Sequence, residues 1–368
     1  MDELRKIYVE PTNRCNLTCV TCIRNSWDEP FGDMTWPVLE ALVDGLADFP
    51  GPKTMAFAGL GEPLLHERFP EMVRLAHERG LRTEMTSNAM LLTPTLAASL
   101  VEAGLDQLTV SIDGVADDSH GAIRPGASLA AIKAHVGRLY RLSADARETP
   151  LRIGIEFVAM RRNIHELPAL REIARSVRAS FILVTNVLPY TAELQDEILY
   201  QMGPTTHESQ GEPDDPLWIM PHMDWCRETQ EPLSRIMRQQ PKLSFLDIGL
   251  NQRSNYCPFV MTGSMAVAWH GGVSPCPALL HSYRCFIRGR QKDFRRCEFG
   301  RLPDQPLLAV WSSSEYAAFR ERVRLFDFSP CTDCGGCDWA EKNEQDCFGN
   351  PFPVCGDCLW ARGVLRCA

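Results

Sequence analysis

Short apolar runs alternate along the first half of the chain with longer stretches in which apolar positions recur every three or four residues. The first pattern is that of a buried parallel strand, the second that of an amphipathic helix. Strands are predicted over 4–10, 54–58, 82–85, 107–112, 153–160 and 181–185. A helix is predicted from Thr35 as cap, with Pro37 in its first turn and Leu39, Leu42, Val43 and Leu46 on one face. Others follow over 67–79, closed by Gly80, 93–103, closed by Gly104, 129–142 and 164–178. Six strands with five such helices between them, and a sixth helix left unassigned, imply six repeats of a parallel sheet with right-handed crossovers, curved into an open barrel. The expected fold is α/β, a partial (β/α)6 TIM-like barrel over residues 1–190, with chemistry at the carboxyl ends of its strands.

From Pro189 the periodicity fades. Residues 191–256 are expected to form a connector or lid, with Pro204, a Gly/Pro/Asp-rich run at 211–216 and the cluster Trp218, Met220, Met223 and Trp225. Those large side chains either line a substrate cavity or pack against both neighbours. Residues 257–368 hold eleven of the fifteen cysteines and are expected to form a third, Cys-rich domain.

Composition narrows the class. A chain of 368 residues that is 45% hydrophobic can bury a large domain and a smaller one. Met1 to Lys6 lacks the apolar core of a signal sequence, and no apolar run is long enough to span a bilayer, so a cytoplasmic protein with no membrane partner is expected. Cysteines in such a setting serve as metal ligands rather than disulfides. A net charge of −9 argues against nucleic acid as a partner.

Three thiols, Cys15, Cys19 and Cys22, stand close together in the loop after the first predicted strand. One loop of this kind can wrap three corners of a 4Fe–4S cluster and leave the fourth iron open to a small molecule. The competing zinc-knuckle reading normally requires four ligands on paired arms. After the second strand comes Gly59-Leu60-Gly61-Glu62-Pro63, whose glycines allow close backbone approach and whose carboxylate can accept a bond from an ammonium group. Cys-x3-Cys-x2-Cys after the first barrel strand, followed by Gly-Glu-Pro after the second, resembles the radical S-adenosylmethionine (SAM) superfamily.

That resemblance implies the cofactors and their ligands. Cys15, Cys19 and Cys22 would hold the 4Fe–4S cluster that binds SAM, with Gly61, Glu62 and Pro63 at the SAM amine. Ser111 or Asp113, ending the fourth strand, would hold the ribose hydroxyls, and Arg124 the SAM carboxylate, to which a guanidinium is well suited. Asn88, after the third strand, is a further candidate for the SAM or substrate cavity. Turn formation is the alternative for Asn88 and Asp113, and Asn163 and Glu166 read as helix starters. Many relatives carry an aromatic residue before the third cysteine, where this chain has Thr21, so the adenine contact is left to apolar residues such as Val158 and Met160.

The C-terminal thiols form a second array. Cys257, with Gly271 and Cys276 on a predicted hairpin over 265–276, resembles the opening of the SPASM domain, which gives some radical SAM enzymes one or two auxiliary 4Fe–4S clusters. The candidate ligands are Cys257, Cys276, Cys331, Cys334, Cys337, Cys347, Cys355, Cys358 and Cys367, with Cys285 and Cys297 in surplus. Cys257 and Cys276 are expected to share one cluster, and four-thiolate zinc is the alternative. The stretches 19–25, 186–190 and 355–363 further resemble the subfamily labelled maturases of tungsten-cofactor oxidoreductases.

The expected activity is reductive cleavage of SAM to a 5′-deoxyadenosyl radical that removes hydrogen from a substrate, with an auxiliary cluster assisting oxidation, substrate binding or carbon–sulfur bond formation. A peptide or protein maturase, a small-molecule enzyme, including one that inserts sulfur into a sugar or nucleoside, and a non-catalytic iron–sulfur or zinc protein are the three alternatives. Too few residues precede the first strand for a peptide-recognition domain, which favours the second over peptide maturation, and the SAM-binding motifs disfavour the third. A basic stretch, Arg284, Arg288, Arg290, Lys292, Arg295 and Arg296, is expected to dock an acidic electron donor such as a flavodoxin or ferredoxin, with a solvated loop as the alternative.

Overall fold

The computed structural model describes residues 3–200, 217–221, 223–224, 226–238, 243–245, 256–287, 289–329, 331 and 338–367. In chain order the first elements are β1 (Lys6–Val9), α1 (Trp36–Gly45), β2 (Thr54–Phe57), α2 (Phe69–Glu78), β3 (Arg82–Ser87), α3 (Pro94–Ala103), β4 (Gln107–Ser111) and α4 (Asp117–Ile123). They continue with α5 (Leu129–Ala146), β5 (Arg152–Ala159), α6 (Leu170–Ser176), β6 (Ala179–Asn186), β7 (Leu217–Met220), α7 (Arg227–Arg238) and β8 (Leu243–Phe245). The C-terminal part adds α8 (Pro258–Met261), β9 (Ser264–Val267), β10 (Gly272–Ser274), β11 (Tyr283–Ile287), β12 (Arg290–Phe294), β13 (Gly300–Arg301), α9 (Leu307–Trp311) and α10 (Ser314–Leu325).

These elements fall into two compact units that do not follow chain order. The first holds residues 1–16, 23–85 and 255–362. In it β1 pairs in parallel with β2 through Ile7 and Met55, and β2 with β3. On its other side β1 pairs in parallel with β9, Ile7 facing Met265, so the strand that leads into the cysteine loop is flanked on both edges. β9 and β10 form the expected hairpin, Val267 opposite Val273. Aromatic packing seals the unit: Phe57 meets Phe69 edge-on at 5.3 Å, and Phe299 stacks on Tyr316 at 4.4 Å.

The second unit holds residues 17–22, 86–254 and 363–368. Strands β4 to β8 run parallel in order. Along β5 the side chains alternate, with Ile153, Ile155 and Phe157 fully buried on one face and Glu156 and Val158 partly open on the other. Thr93 and Ser128 cap α3 and α5 by accepting from the Leu96 and Ala131 amides, whereas Thr35, at the cap position of α1, makes no such bond. The helix predicted over 164–178 is a 3-10 turn at 164–169 running into α6, because Pro168 cannot continue an α-helical ladder.

Two short parallel strands, β7 and β8, extend the series beyond the six repeats read from the sequence, within the segment expected as a connector or lid. Trp218, Met220 and Met223 are buried. Pro204, Trp225 and residues 211–216 lie outside the described residues. Among the described residues no helix is long and apolar enough to cross a membrane.

Candidate active site and iron–sulfur centres

In the first unit, the loop after β1 is tied down before it reaches Cys15. Thr12 Oγ1 donates to the Gly32 carbonyl (2.9 Å), Asn13 accepts from the Gly32 amide (2.8 Å) and donates to the Pro30 carbonyl (2.9 Å), and Arg14 pairs with Asp33. The segment after β2 lies directly on this loop. The Glu62 amide donates to the Arg14 carbonyl (2.7 Å), and a Cβ on Gly61 would collide with the Thr12 carbonyl and sit 2.7 Å from that of Arg14. Only glycine permits this approach. Glu62 is 2% exposed, and its Oε1 accepts from the Leu64 amide at 3.1 Å.

In the second unit, the remainder of the loop is anchored through Val20. Its amide donates to the Ile123 carbonyl (2.9 Å), its carbonyl accepts from Tyr190 (2.8 Å), and its side chain packs with Ile123, Met160, Val187 and Leu194. Arg124, at the end of α4, donates through Nε to Asp113 (2.7 Å) and through Nη1 to the Cys19 sulfur (3.8 Å). The other Asp113 oxygen accepts from the Val158 amide (2.8 Å), so both carboxyl oxygens are engaged within the protein. Asn88 Oδ1 accepts from the Met90 amide (2.9 Å), and Ser111 is buried at the end of β4. Met160 is fully buried, leaving Val158 as the partly open member of the pair considered for adenine.

Several participants were not legible as such. Asn163 makes no cap bond. It donates to the Asp113 and Val158 carbonyls (3.0 and 2.9 Å) and so joins the ends of β4 and β5. Glu166 accepts from the Val115 amide (2.6 Å) and Ser119 (2.9 Å), fixing the turn beyond Asp113. Buried His120 accepts at Nδ1 from the Asp113 amide, 3.2 Å. Glu156 lies beside Ser111 in register, where burial, reinforced by Asp113 and opposed by Arg124, pushes its carboxyl up to about 7. A lone acid in the otherwise apolar run 153–159 was its only signal.

None of the thirteen described cysteines is joined in a disulfide. Four of them sense one another. Burial pushes Cys257 up to about 12, with Cys358 adding to the effect. Burial likewise holds Cys276 and Cys355 well above the ordinary thiol value, each raised further by Cys257 and Cys358. Burial raises Cys358, and the Ala361 and Trp360 amides partly offset it. Thiols held protonated by desolvation and by neighbouring thiols become thiolates readily only against a multivalent cation, so this donor set suits a metal centre. Among the described residues no group of three or more Cys, His, Asp or Glu side chains is placed to hold a single metal ion.

Other thiols fall elsewhere. Cys331 and Cys347 meet around Ser329, whose hydroxyl lies 3.0 Å from the Cys347 sulfur, and Cys347 and Ser329 both act on Cys331. Cys285 and Cys297 are buried, while Cys367 belongs to the second unit. Cys334 and Cys337 lie outside the described residues.

The basic stretch is largely neutralised. Lys292 is buried in an ion pair with Asp357, between Cys355 and Cys358 in sequence, rather than presented to a partner. Arg284, Arg295 and Arg296 pair with Asp293, Glu344 and Glu298, and Arg290 donates to the Cys331 carbonyl. Arg288 lies outside the described residues.

Comparison with known proteins agrees with this chemistry. Residues 9–146 match the radical SAM superfamily and residues 257–338 an iron–sulfur cluster-binding domain, SPASM. The tungsten-containing aldehyde ferredoxin oxidoreductase cofactor-modifying protein of Pyrococcus furiosus is 30% identical over 99% of this chain and 97% of its own. An AdoMet-dependent heme synthase of Methanosarcina barkeri is 26% identical over 96% of this chain and 94% of its own. Streptococcus suis SuiB, in a crystal structure bound to SAM, shares the fold at a TM-score of 0.59 and 14% identity, over 91% of this chain and 71% of that one. The cofactors are accordingly SAM, the 4Fe–4S cluster that binds it and auxiliary iron–sulfur clusters of the C-terminal domain. The chain belongs to the radical SAM superfamily, as an α/β enzyme of the partial-barrel type with a C-terminal SPASM domain.

Proposed function

We propose that the protein modifies the organic cofactor of a tungsten-containing oxidoreductase, removing hydrogen from it in a reducing cytoplasm. Near-full-length similarity to a cofactor-modifying protein carries this reading. When bound to Cys15, Cys19 and Cys22, the cluster supplies the electron that cleaves SAM to the 5′-deoxyadenosyl radical. The chain's own residues orient and shield. Glu62 takes the SAM amine, in a segment held against the cysteine loop. Arg124 takes the SAM carboxylate, and Asp113, with both oxygens engaged, orients Arg124 instead of reaching the ribose. Ser111 is left for the ribose hydroxyls and Asn88 for the SAM or substrate cavity.

Cys257, Cys276, Cys355 and Cys358 hold one auxiliary cluster. Cys331 and Cys347, with Cys334 and Cys337, are assigned to a second. The electron donor is an acidic flavodoxin or ferredoxin that docks without using Lys292, whose charge is buried.

Anaerobic turnover with defined substrates tests the reading. Cofactor extracted from a tungsten oxidoreductase should raise 5′-deoxyadenosine formation above the rate with SAM alone and return with a changed mass, whereas Cys-containing peptides should do neither. Stimulation by peptides alone overturns it in favour of peptide maturation. Separately, Gly61→Ala should weaken SAM binding by about tenfold or more in equilibrium dialysis, because its Cβ pushes the Glu62 segment off the Thr12 and Arg14 carbonyls. Iron content should not change.

A further inference from the structure

Within the first unit, a buried histidine from the C-terminal part of the chain meets two carboxylates at the end of β1. His281 is 1% exposed, and its Nε2 donates to the Glu10 carboxylate at 2.8 and 3.0 Å. Its Nδ1 donates to Glu29 at 2.6 Å, and the neighbouring Ser282 amide donates to the other Glu29 oxygen at 2.9 Å. The Trp27 ring lies edge-on to the imidazole at 4.1 Å. With a carboxylate at each nitrogen, the ring is an imidazolium. Burial alone would lower its pKa, but the bonds and charges of Glu10 and Glu29 outweigh burial and hold it up to about 9.

Glu10 does more than neutralise this cation. The carboxylate oxygen that faces His281 at 3.0 Å also accepts from the Leu60 amide at 3.3 Å. A Cβ on Gly59 would meet the Glu10 Cγ at 2.8 Å and the same oxygen at 2.9 Å, so the turn after β2 is moulded to this side chain. The Glu10 backbone is held too, its amide donating to the Val267 carbonyl at 3.0 Å. Without the imidazolium, Glu10 would be a buried carboxylate without a counter-ion and would be driven to move toward water.

We propose that His281 is a positioning residue that sets the 59–62 turn through Glu10, so that the C-terminal segment determines how tightly the protein binds SAM. The link to SAM rests on the assignment of Glu62 to the SAM amine. His281 touches neither SAM nor the reacting atoms. It fixes the carboxylate that fixes the turn.

Hydrogen–deuterium exchange and SAM binding, on anaerobically reconstituted full-length protein, separate the parts. In His281→Ala the Leu60 amide should exchange about tenfold or more faster, with protection across 153–159 and iron content unchanged. The SAM dissociation constant should rise by about tenfold while kcat at saturating SAM stays within about twofold. Glu29→Gln, which leaves Glu10 and His281 intact, should give the same two shifts at about threefold and serves if His281→Ala does not fold. Unchanged Leu60 exchange in a folded variant of either kind overturns the proposal. Faster exchange with unchanged SAM affinity upholds the positioning role and overturns the assignment of Glu62 to the amine, which Glu62→Gln checks independently.

Discussion

Replacing Cys15, Cys19 and Cys22 together by Ala should lower reductive SAM cleavage by at least about a thousandfold, because no side chain can supply the electron that breaks the carbon–sulfur bond. The protein should still fold. Thr12, Asn13 and Arg14 hold the loop from one side, Val20 holds it from the other, and Arg124 keeps its bond to Asp113 after losing the Cys19 sulfur. Iron should fall by about four atoms per chain, leaving about eight if two auxiliary clusters are present and about four if one is. Iron and sulfide analysis, Mössbauer spectra and 5′-deoxyadenosine assays check this together. Cleavage at the native rate in the triple variant would sink the assignment.

The converse variant, Cys355→Ser with Cys358→Ser, should lose about four irons per chain and keep SAM cleavage while losing substrate conversion. It should also cost stability on the order of several kcal/mol, since metal binding by buried thiols is coupled to folding. Burial and neighbouring thiols hold Cys257 and Cys276 in the protonated form, so without Cys355 and Cys358 to complete a metal centre nothing offsets the cost of placing them there. Differential scanning calorimetry and metal analysis under anaerobic conditions read both effects. Zinc without iron in the native C-terminal domain would refute the cluster assignment there.

What could be read from the sequence was local. Strand and helix periods, the glycines that close α2 and α3, the hairpin at 265–276 and the spacing of Cys15, Cys19 and Cys22 each depend on neighbours within a few residues. What could not be read is the meeting of distant segments. Nothing around Ser264–Val267 signals that it pairs with β1, and Cys355 and Cys358 gave no sign that they face Cys257 and Cys276. Asn163 and Glu166 looked like cap residues because the same side-chain types serve both roles, and only the distant partners, the Asp113 and Val158 carbonyls for Asn163 and the Val115 amide for Glu166, distinguish them. Asp113 showed its residue type but not its partners. The strands β7 and β8 escaped notice because runs of three or four residues carry too little period to separate from a loop.

The pairing of β1 with β9 has a consequence for how the polypeptide is made. β1 leaves the ribosome about 250 residues before β9, the strand that completes one of its two hydrogen-bonded edges. A strand edge left open during synthesis is an aggregation hazard, and contacts of such long sequence separation slow folding. A polypeptide that has β1 but not yet β9 therefore leaves that edge unpaired, and the cysteine loop that follows β1 gains its second flanking strand only once β9 has been made.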